Sequence, residues 1–248
     1  GVELFPRENM LSYEEIYRVA RAAAELGINK LRLTGGEPLV RVGLSQLVAM
    51  LAGLKGIDDI ALTTNGLLLA RCAAELKAAG LKRVNVSLDS LRPEKFQRIT
   101  RGQHLHQVLE GLRVAEGLGL TPVKINMVVM RGVNDDELLD FAWKTIYDGW
   151  NVRFIELMPF GEQGIKDNNH IPVAEMRERL ETLGPLEPCL PGAGGGPAKY
   201  FRYPNGRGTI GFISPISEHF CENCNRLRLT ADGRLHLCLL GEAAIDLR

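Results

Sequence analysis

The sequence predicts an α/β fold: a partial (βα)6 barrel of the TIM type, followed by a small C-terminal β region that carries three clustered cysteines. Between residues 13 and 183, short β-branched or apolar segments alternate with longer segments of helical periodicity. Few residues separate successive segments, which favours a parallel sheet with its helices outside. Because the alternation begins with a helix, we expect the first strand of the barrel to be missing from this sequence. A doubly wound open sheet is the alternative architecture.

The elements follow one another in a regular order. Strands are predicted over residues 30–33, 60–63, 83–88, 123–130 and 152–157. Helices are predicted over residues 13–26, 44–54, 69–79, 108–118, 135–147 and 173–183. Cap or first-turn positions are predicted for Ser12, Asn134 and Pro172. Left-handed residues just past helix ends are predicted at Gly27, Gly80 and Gly119.

The pattern changes near residue 184. We therefore divide the sequence into a barrel core, residues 1–184, and a C-terminal cluster-binding region, residues 185–248. Prolines and a glycine-rich stretch at residues 192–196 open the second part. Strands are predicted there over residues 199–202 and 208–213, and a hairpin joins residues 225–230 to 234–238 through Asp232 and Gly233.

Composition excludes several classes of function. The 248 residues are 45% hydrophobic and 24% charged, and 30 basic residues balance 30 acidic ones. A neutral chain gives no global field for a nucleic acid or a membrane. No apolar run approaches the roughly 20 residues that span a bilayer, and the N-terminus lacks the features of a signal peptide. We expect a cytoplasmic protein.

Cys221, Cys224 and Cys238 form the strongest chemical signal. The spacing, two residues and then thirteen, lets a tight turn and a following hairpin bring three thiolates together. Structural zinc needs a fourth ligand, for which His219 and His236 are candidates. A [4Fe-4S] cluster held by three cysteines leaves one iron open. The two remaining cysteines, Cys72 and Cys189, are interpreted as structural or incidental.

Cations occur in places where they need a partner. Arg226 and Arg228 alternate on the strand after Cys224, so both point to one face and can bind an anion. Exposed charges on an edge strand are the alternative interpretation. Three further cations interrupt strands that look buried: Arg32, Lys124 and Arg153. Each needs an internal salt bridge or a bound anion.

Small and polar residues follow several strands. They occur at residues 34–38, 63–66, 87–89 and 156–159. The carboxyl ends of parallel strands form the mouth of an active site in such folds. The sequence therefore predicts a site at this edge of the sheet.

Five segments together resemble the GTP 3′,8-cyclases, a family of radical S-adenosylmethionine enzymes. They are residues 34–39 (TGGEPL), 63–66 (TTNG), 85–89 (NVSLD), 153–156 (RFIE) and 220–229 (FCENCNRLRL). The resemblance implies a partial barrel with two [4Fe-4S] clusters, of which the N-terminal one cleaves S-adenosylmethionine and the C-terminal one holds the guanine base. By motif, the C-terminal cluster would be bound by Cys221, Cys224 and Cys238. S-adenosylmethionine would contact Gly36, Ser87 and Met158. GTP would contact Arg32, Thr63, Lys124, Arg226, Leu227 and Arg228. Arg153 matches a further basic residue of the family's pocket.

The resemblance also implies the reaction. A 5′-deoxyadenosyl radical removes hydrogen from the ribose 3′ carbon, and the substrate radical closes a ring at C8 of guanine. The product, (8S)-3′,8-cyclo-7,8-dihydroguanosine 5′-triphosphate, belongs to the first step of molybdenum cofactor biosynthesis. Implied partners are an electron donor, cyclic pyranopterin monophosphate synthase downstream and a second copy of the chain.

The sequence departs from the family pattern in two respects. It lacks the family's C-terminal helical stretch and Gly-Gly tail, and it lacks the Cys-x3-Cys-x2-Cys motif that binds the radical-generating cluster. Without that motif, we expect the 248 residues alone not to turn over. Two alternatives remain at this point: another radical S-adenosylmethionine enzyme with an auxiliary cluster, and a non-catalytic nucleotide-binding protein with a zinc ribbon.

Overall fold

The computed structural model describes residues 9–158, 169–190, 196–218, 221, 224–239, 241 and 243–248. Its main sheet has eight strands in the order β1-β2-β3-β4-β5-β8-β7-β6. They are β1 Lys30–Leu33, β2 Asp59–Thr64, β3 Arg83–Ser87, β4 Lys124–Val129, β5 Asn151–Glu156, β6 Glu187–Pro188, β7 Lys199–Arg202 and β8 Thr209–Ile213. The first five strands and β8 are parallel, whereas β7 and β6 continue the sheet antiparallel.

Seven α-helices are present in the described residues. They are α1 Tyr13–Glu25, α2 Leu44–Ala52, α3 Leu69–Ala78, α4 Pro93–Thr100, α5 Leu105–Gly117, α6 Leu138–Tyr147 and α7 Val173–Glu181. Two short 3-10 helices, Pro38–Val40 and Asp135–Glu137, lie in loops after strands. Helices pack on the sheet face that carries the apolar strand residues, such as Leu62, Val86 and Phe154, and together they form one core. The fold is the predicted partial barrel.

The predicted strands and helices of the barrel are all confirmed, with ends that differ by one to three residues. Helix α4 was not predicted, because Phe96 is its only buried residue and the apolar pattern is therefore short. Residues 135–137 form a 3-10 turn rather than the start of a helix, so α6 begins at Leu138.

The predicted division at residues 184 and 185 stays a prediction, and the strands that follow it fall into two sheets. β7 pairs with β8, and β8 pairs with β5, so the main sheet is continuous across the predicted division at residues 184 and 185. The predicted hairpin is present but shorter, as β9 Arg228–Leu229 and β10 Arg234–His236. With the unpredicted β11, Ala244–Asp246, it forms a second sheet of three strands.

Local signals at helix ends had mixed outcomes. Ser12 forms a capping box with Glu15 at the start of α1, as its position predicted. The predicted left-handed glycines have φ values of 93°, 111° and 69° at Gly27, Gly80 and Gly119. Asn134 and Pro172 occupy the N-cap positions of the second 3-10 helix and of α7, as predicted, but neither side chain makes a capping hydrogen bond. The Asn134 amide instead donates to the Asp89 and Val128 carbonyls at 2.8 and 2.9 Å, joining the ends of β3 and β4.

The helices in the described part of the chain were compared with the length and apolar character needed to span a membrane. None of these helices is both long and apolar enough to cross a bilayer.

Candidate active site

Polar side chains line the sheet face opposite the helices, which is the inner face of the partial barrel. The strand register aligns Thr63 with Asn85, Asn85 with Lys124, and Asn126 with Arg153. Side chains on neighbouring parallel strands at one register level point to the same face. The alternation along each strand is therefore apolar toward the helices and polar toward the interior.

A buried ion pair lies at the amino end of two of these strands. Arg83 is 4% exposed, and its Nε donates to Asp59 Oδ1 at 3.0 Å. Its Nη2 pairs with the second carboxylate oxygen, so the contact is bidentate. A two-point contact with good geometry is what a buried guanidinium needs.

Arg153 is one of two deeply buried cations among the predicted binding residues, with Lys124. It is 5% exposed, and its Nη2 donates to Asn85 Oδ1 at 2.7 Å. The Asn85 amide donates in turn to Thr63 Oγ1 at 3.3 Å. The Arg153 Nε is buried and has no hydrogen-bond partner among the described residues. Burial is the main cause of a lowered Arg153 pKa, and an unsatisfied buried donor of this kind favours an anionic ligand.

Lys124 begins β4 and is 3% exposed. Its Nζ donates to the Tyr200 hydroxyl at 3.2 Å and lies 5.1 Å from the centre of the Tyr200 ring. Burial, together with the charges of Arg153 and Arg83, lowers the pKa of Lys124 to about 8. An anion bound beside this ammonium would raise that pKa again.

The prediction that Arg32 is buried was wrong. Arg32 lies on β1, at the edge of the sheet, and is exposed to solvent. Protein atoms around its guanidinium nevertheless desolvate it enough to lower its pKa to about 10, with contributions from Arg153, Arg83 and Arg226. The guanidinium is thus open to water while the neighbouring cations crowd its charge.

The residues expected to contact S-adenosylmethionine lie at the opposite end of the strands. Gly36 follows β1, Ser87 is the last residue of β3, and Met158 comes two residues after β5. Gly36 and Ser87 are exposed and Met158 is half-buried. A Cβ at Gly36 would meet no atom within 4 Å. The structure brings these three residues to one edge, the carboxyl edge of the sheet.

Glu37 connects the first two segments of the family motif. One carboxylate oxygen accepts from Thr64 Oγ1 at 2.7 Å and from the Leu39 amide at 3.0 Å. The other accepts from the Asn65 amide at 2.7 Å. These hydrogen bonds hold the loop after β1 against the end of β2, which explains why the two segments occur together.

Glu156 performs the same task at the end of β5. The carboxylate is fully buried and accepts from the amides of Val173, Ile216 and Ser217 at 2.9, 3.0 and 3.0 Å, and also from the Ser217 hydroxyl. Burial raises the pKa of Glu156, but these hydrogen bonds outweigh it and the net pKa is lowered. The ionised group joins the start of α7 to the segment that follows β8.

The three clustered cysteines lie on and around the hairpin. Cys221, Cys224 and Cys238 are all exposed, and the Cys224 amide donates to the Cys221 carbonyl at 3.1 Å in a tight turn. Burial raises the pKa of Cys224, but the hydrogen bonds and charge of Arg226 outweigh it and lower the pKa overall. Among the described residues, no three His, Cys, Asp or Glu side chains are arranged closely enough to hold a metal ion. The alternative zinc ligand His219 lies outside the described residues, and His236 is opposite Arg228 in the hairpin.

Arg226 and Arg228 are half-buried, whereas Leu227 between them is 49% exposed. The charge of Arg226 reaches both Arg228 and Arg32 on β1. Arg228 is close to the thiols of Cys224 and Cys238, which raise its pKa against the larger lowering by burial. Arg226 therefore lies near enough to Arg228 and to Arg32 of the barrel for its charge to lower the pKa of both.

Sequence reasoning missed Tyr200 and Gly211 on the inner face. Tyr200 is opposite Gly211 in the antiparallel pair of β7 and β8, and Gly211 is aligned with Arg153. A Cβ at Gly211 would lie 3.0 Å from Arg153 Cγ and 3.2 Å from Tyr200 Cε1. The absence of a side chain therefore lets the other two residues approach each other. Alternation of polar residues could have revealed Arg83 and Asn85, but no local signal marks Tyr200.

Comparison with known proteins identifies the class first. The sequence profile of the radical SAM superfamily matches residues 3–142, and the profile described as Molybdenum Cofactor Synthesis C matches residues 150–248. In solved structures, the fold is similar to Streptococcus suis SuiB bound to S-adenosylmethionine, with a TM-score of 0.67 at 13% identity over 95% of this chain and 56% of that one. It is also similar to a radical SAM methyltransferase from Sphaerobacter thermophilus, with a TM-score of 0.52 at 19% identity over 69% and 52%. Fold and profile together define a radical SAM protein.

Relatives of known name narrow the class to one family. The chain is 53% identical to a GTP 3′,8-cyclase of Pelotomaculum thermopropionicum, and the match covers 100% of this chain and 77% of that protein. It is 47% identical to a GTP 3′,8-cyclase of Geobacter sulfurreducens over 100% of this chain and 76% of the relative. The chain therefore belongs to the GTP 3′,8-cyclase family.

Proposed function

We propose that this protein cyclises GTP to (8S)-3′,8-cyclo-7,8-dihydroguanosine 5′-triphosphate, the first step of molybdenum cofactor biosynthesis. The observation that carries the proposal is the cationic inner face of the barrel, where Arg153 keeps a buried Nε without a partner among the described residues. Lys124 adds a second buried positive charge, and Arg32 adds an accessible one. A triphosphate satisfies several such donors at once.

The substrate would lie between the barrel and the hairpin. Arg32, Thr63 and Lys124 would contact the triphosphate, because they line or border the inner face. The segment from Arg226 to Arg228 would contact GTP from the side of the hairpin, because the charge of Arg226 reaches Arg32.

S-adenosylmethionine would bind at the carboxyl edge, against Gly36, Ser87 and Met158. Glu37 and Glu156 do not need to touch the cofactor, because their carboxylates are engaged by hydrogen bonds that hold the strand-end loops. Asp89 adds a half-buried carboxyl two residues after Ser87, and desolvation by the surrounding protein raises its pKa to about 6. These groups position the loops on which the cofactor residues lie.

The hairpin thiols have the donor chemistry that a [4Fe-4S] cluster requires. Cys221, Cys224 and Cys238 supply sulfur, and Arg226 favours the thiolate of Cys224. When bound, the clusters and S-adenosylmethionine supply the one-electron chemistry of the reaction. Arg228 would offset the negative charge of the thiolates, and both arginines would offer donors to the substrate.

The remaining expectations concern the rest of the system. The 248 residues lack the Cys-x3-Cys-x2-Cys motif, so we expect them to bind GTP without turning it over. An electron donor, cyclic pyranopterin monophosphate synthase downstream and a second copy of the chain complete the proposed set of partners.

Anaerobic reconstitution with iron and sulfide tests the proposal. The expected result is broad visible absorbance that dithionite bleaches, together with GTP binding that Arg226→Ala weakens. Stoichiometric zinc with no such absorbance, or unchanged GTP affinity in Arg226→Ala, would contradict it. Turnover is tested with GTP and S-adenosylmethionine in a version of the protein to which a Cys-x3-Cys-x2-Cys segment has been added, with the product identified by mass spectrometry.

A further inference from the structure

Tyr200 is placed among the buried cations of the inner face, although no motif marks it. It lies on β7, half-buried, and its neighbour across the strand pair is Gly211. The Lys124 ammonium donates to its hydroxyl and lies over its ring. The contact with Lys124 spans 76 positions of sequence, so it exists only because β8 joins the main sheet and β7 folds back on it.

The hydrogen-bonding capacity of a phenol determines what Tyr200 can offer. A tyrosine hydroxyl has one proton to donate and lone pairs that accept. Protonated Lys124 has no lone pair, so the hydroxyl oxygen must accept from it. The guanidinium of Arg153 on the same face is likewise only a donor. In the part of the chain that the structure describes, no acceptor is found for the Tyr200 proton.

We propose that Tyr200 is a further substrate-positioning residue, whose hydroxyl accepts from Lys124 and donates its own proton to a phosphate oxygen of the bound nucleotide. The inference rests on the proposed GTP function and deepens it, because it adds a neutral donor to a site otherwise built from cations. The phenol also fixes the ammonium at one place on the inner face. Binding of an anion then requires less ordering of Lys124.

Gly211 makes this arrangement possible. Its Cα is next to both Arg153 and Tyr200, and an added Cβ would come within 3.0 and 3.2 Å of their side chains. Those distances are shorter than ordinary carbon contacts of roughly 3.5–4.0 Å. One of the two side chains would have to move away from the site. Gly211 is therefore a supporting position for the same binding site, without touching the ligand.

The experiment is a calorimetric titration of the 248-residue chain with inorganic tripolyphosphate, GTP and guanosine. We expect Tyr200→Phe to lower the affinity for tripolyphosphate and GTP about tenfold, the size of one hydrogen bond to a charged group, and to leave guanosine unaffected. Gly211→Ala should lower the same two affinities several-fold.

The matched control is Tyr203→Phe, which removes a buried hydroxyl that donates to the Leu180 carbonyl at 2.7 Å. It should lower the melting temperature and leave all three affinities unchanged.

A second readout separates positioning from folding. Without its hydroxyl acceptor, Lys124 should lose its proton at a lower pH, so the pH above which tripolyphosphate affinity falls should move down in Tyr200→Phe. A purely structural role would not shift this midpoint. Wild-type affinity for tripolyphosphate in Tyr200→Phe would overturn the inference and leave the proposed function intact. If the wild-type chain bound neither tripolyphosphate nor GTP, the proposed function itself would fall, and the role of Tyr200 with it.

Discussion

The inner face of the barrel and the C-terminal hairpin both gather cations, but they hold them in different ways. In the barrel, buried cations have rigid protein partners, as in the pairing of Arg83 with Asp59 and of Arg153 with Asn85. In the hairpin, Arg226 and Arg228 lie beside thiols that are exposed and that form no closed set of metal ligands with the other residues the structure describes. The barrel is thus prepared for its ligand in advance. The hairpin supplies the right chemical groups, and binding of a cluster would have to bring them together.

The largest expected effect is the loss of iron binding at the hairpin, with the barrel left intact. Cys224→Ser should abolish most of the iron and the visible absorbance acquired by this chain on reconstitution, because a three-thiolate site loses a ligand. Binding of tripolyphosphate to the barrel should stay within about twofold of wild type, because its donors lie on other strands. Iron content and calorimetry on the same preparation measure both. Parallel loss of the two activities would show that the regions are not independent.

The second largest expected effect is a loss of stability when a buried ion pair of the barrel is broken. Asp59→Asn leaves the Arg83 guanidinium buried without its carboxylate, and we expect a loss of about 3–5 kcal/mol in the free energy of unfolding. Urea denaturation followed by circular dichroism provides the value. A loss below about 1 kcal/mol would mean that water reaches Arg83 and that the inner face is less enclosed than its burial indicates.

The third effect follows from the pKa of Lys124, which is lowered to about 8. Below pH 8 the ammonium is charged in both the folded and the unfolded chain, so its burial destabilises the fold fully there. As pH rises from about 8 toward the ordinary lysine value of about 10.5, the folded state loses its proton first and that destabilisation is relieved.

Anion binding depends on pH in the opposite direction, because it needs the proton on Lys124. Tripolyphosphate affinity should fall by up to about tenfold per pH unit above 8, with proton uptake measured in buffers of different ionisation enthalpy. Affinity independent of pH between 7 and 9.5 would exclude Lys124 from the site.

The smallest expected effect is the change in stability when an exposed ion pair of the hairpin is broken. Arg234 is 3.4 Å from Asp232 at the turn of the hairpin, and its side chain is 62% exposed. Arg234→Gln should change the free energy of unfolding by less than about 1 kcal/mol, as is usual for surface ion pairs. The same urea experiment serves as the matched control for Asp59→Asn. Equal losses for the two variants would remove the distinction between the regions.

Much of the fold could be predicted because its signals are local. The capping box of Ser12 and Glu15 involves residues three apart, and the barrel strands repeat one apolar pattern. Helix α4 escaped because a single buried residue, Phe96, gives no periodicity. The burial of Arg32 was predicted wrongly because edge position depends on which strands are neighbours, and a strand's own residues do not determine that.

The candidate site divides in the same way. The sequence by itself determined the cysteine spacing, the strand-end motifs and the cations Arg153 and Lys124, because each is a property of a short segment. Only the tertiary structure decided that β8 extends the main sheet, that Gly211 lies against Arg153, and that Tyr200 meets Lys124. The physical reason is that these contacts join residues far apart in the sequence. Pairing between such strands is set by the packing of the whole sheet, which no local pattern specifies.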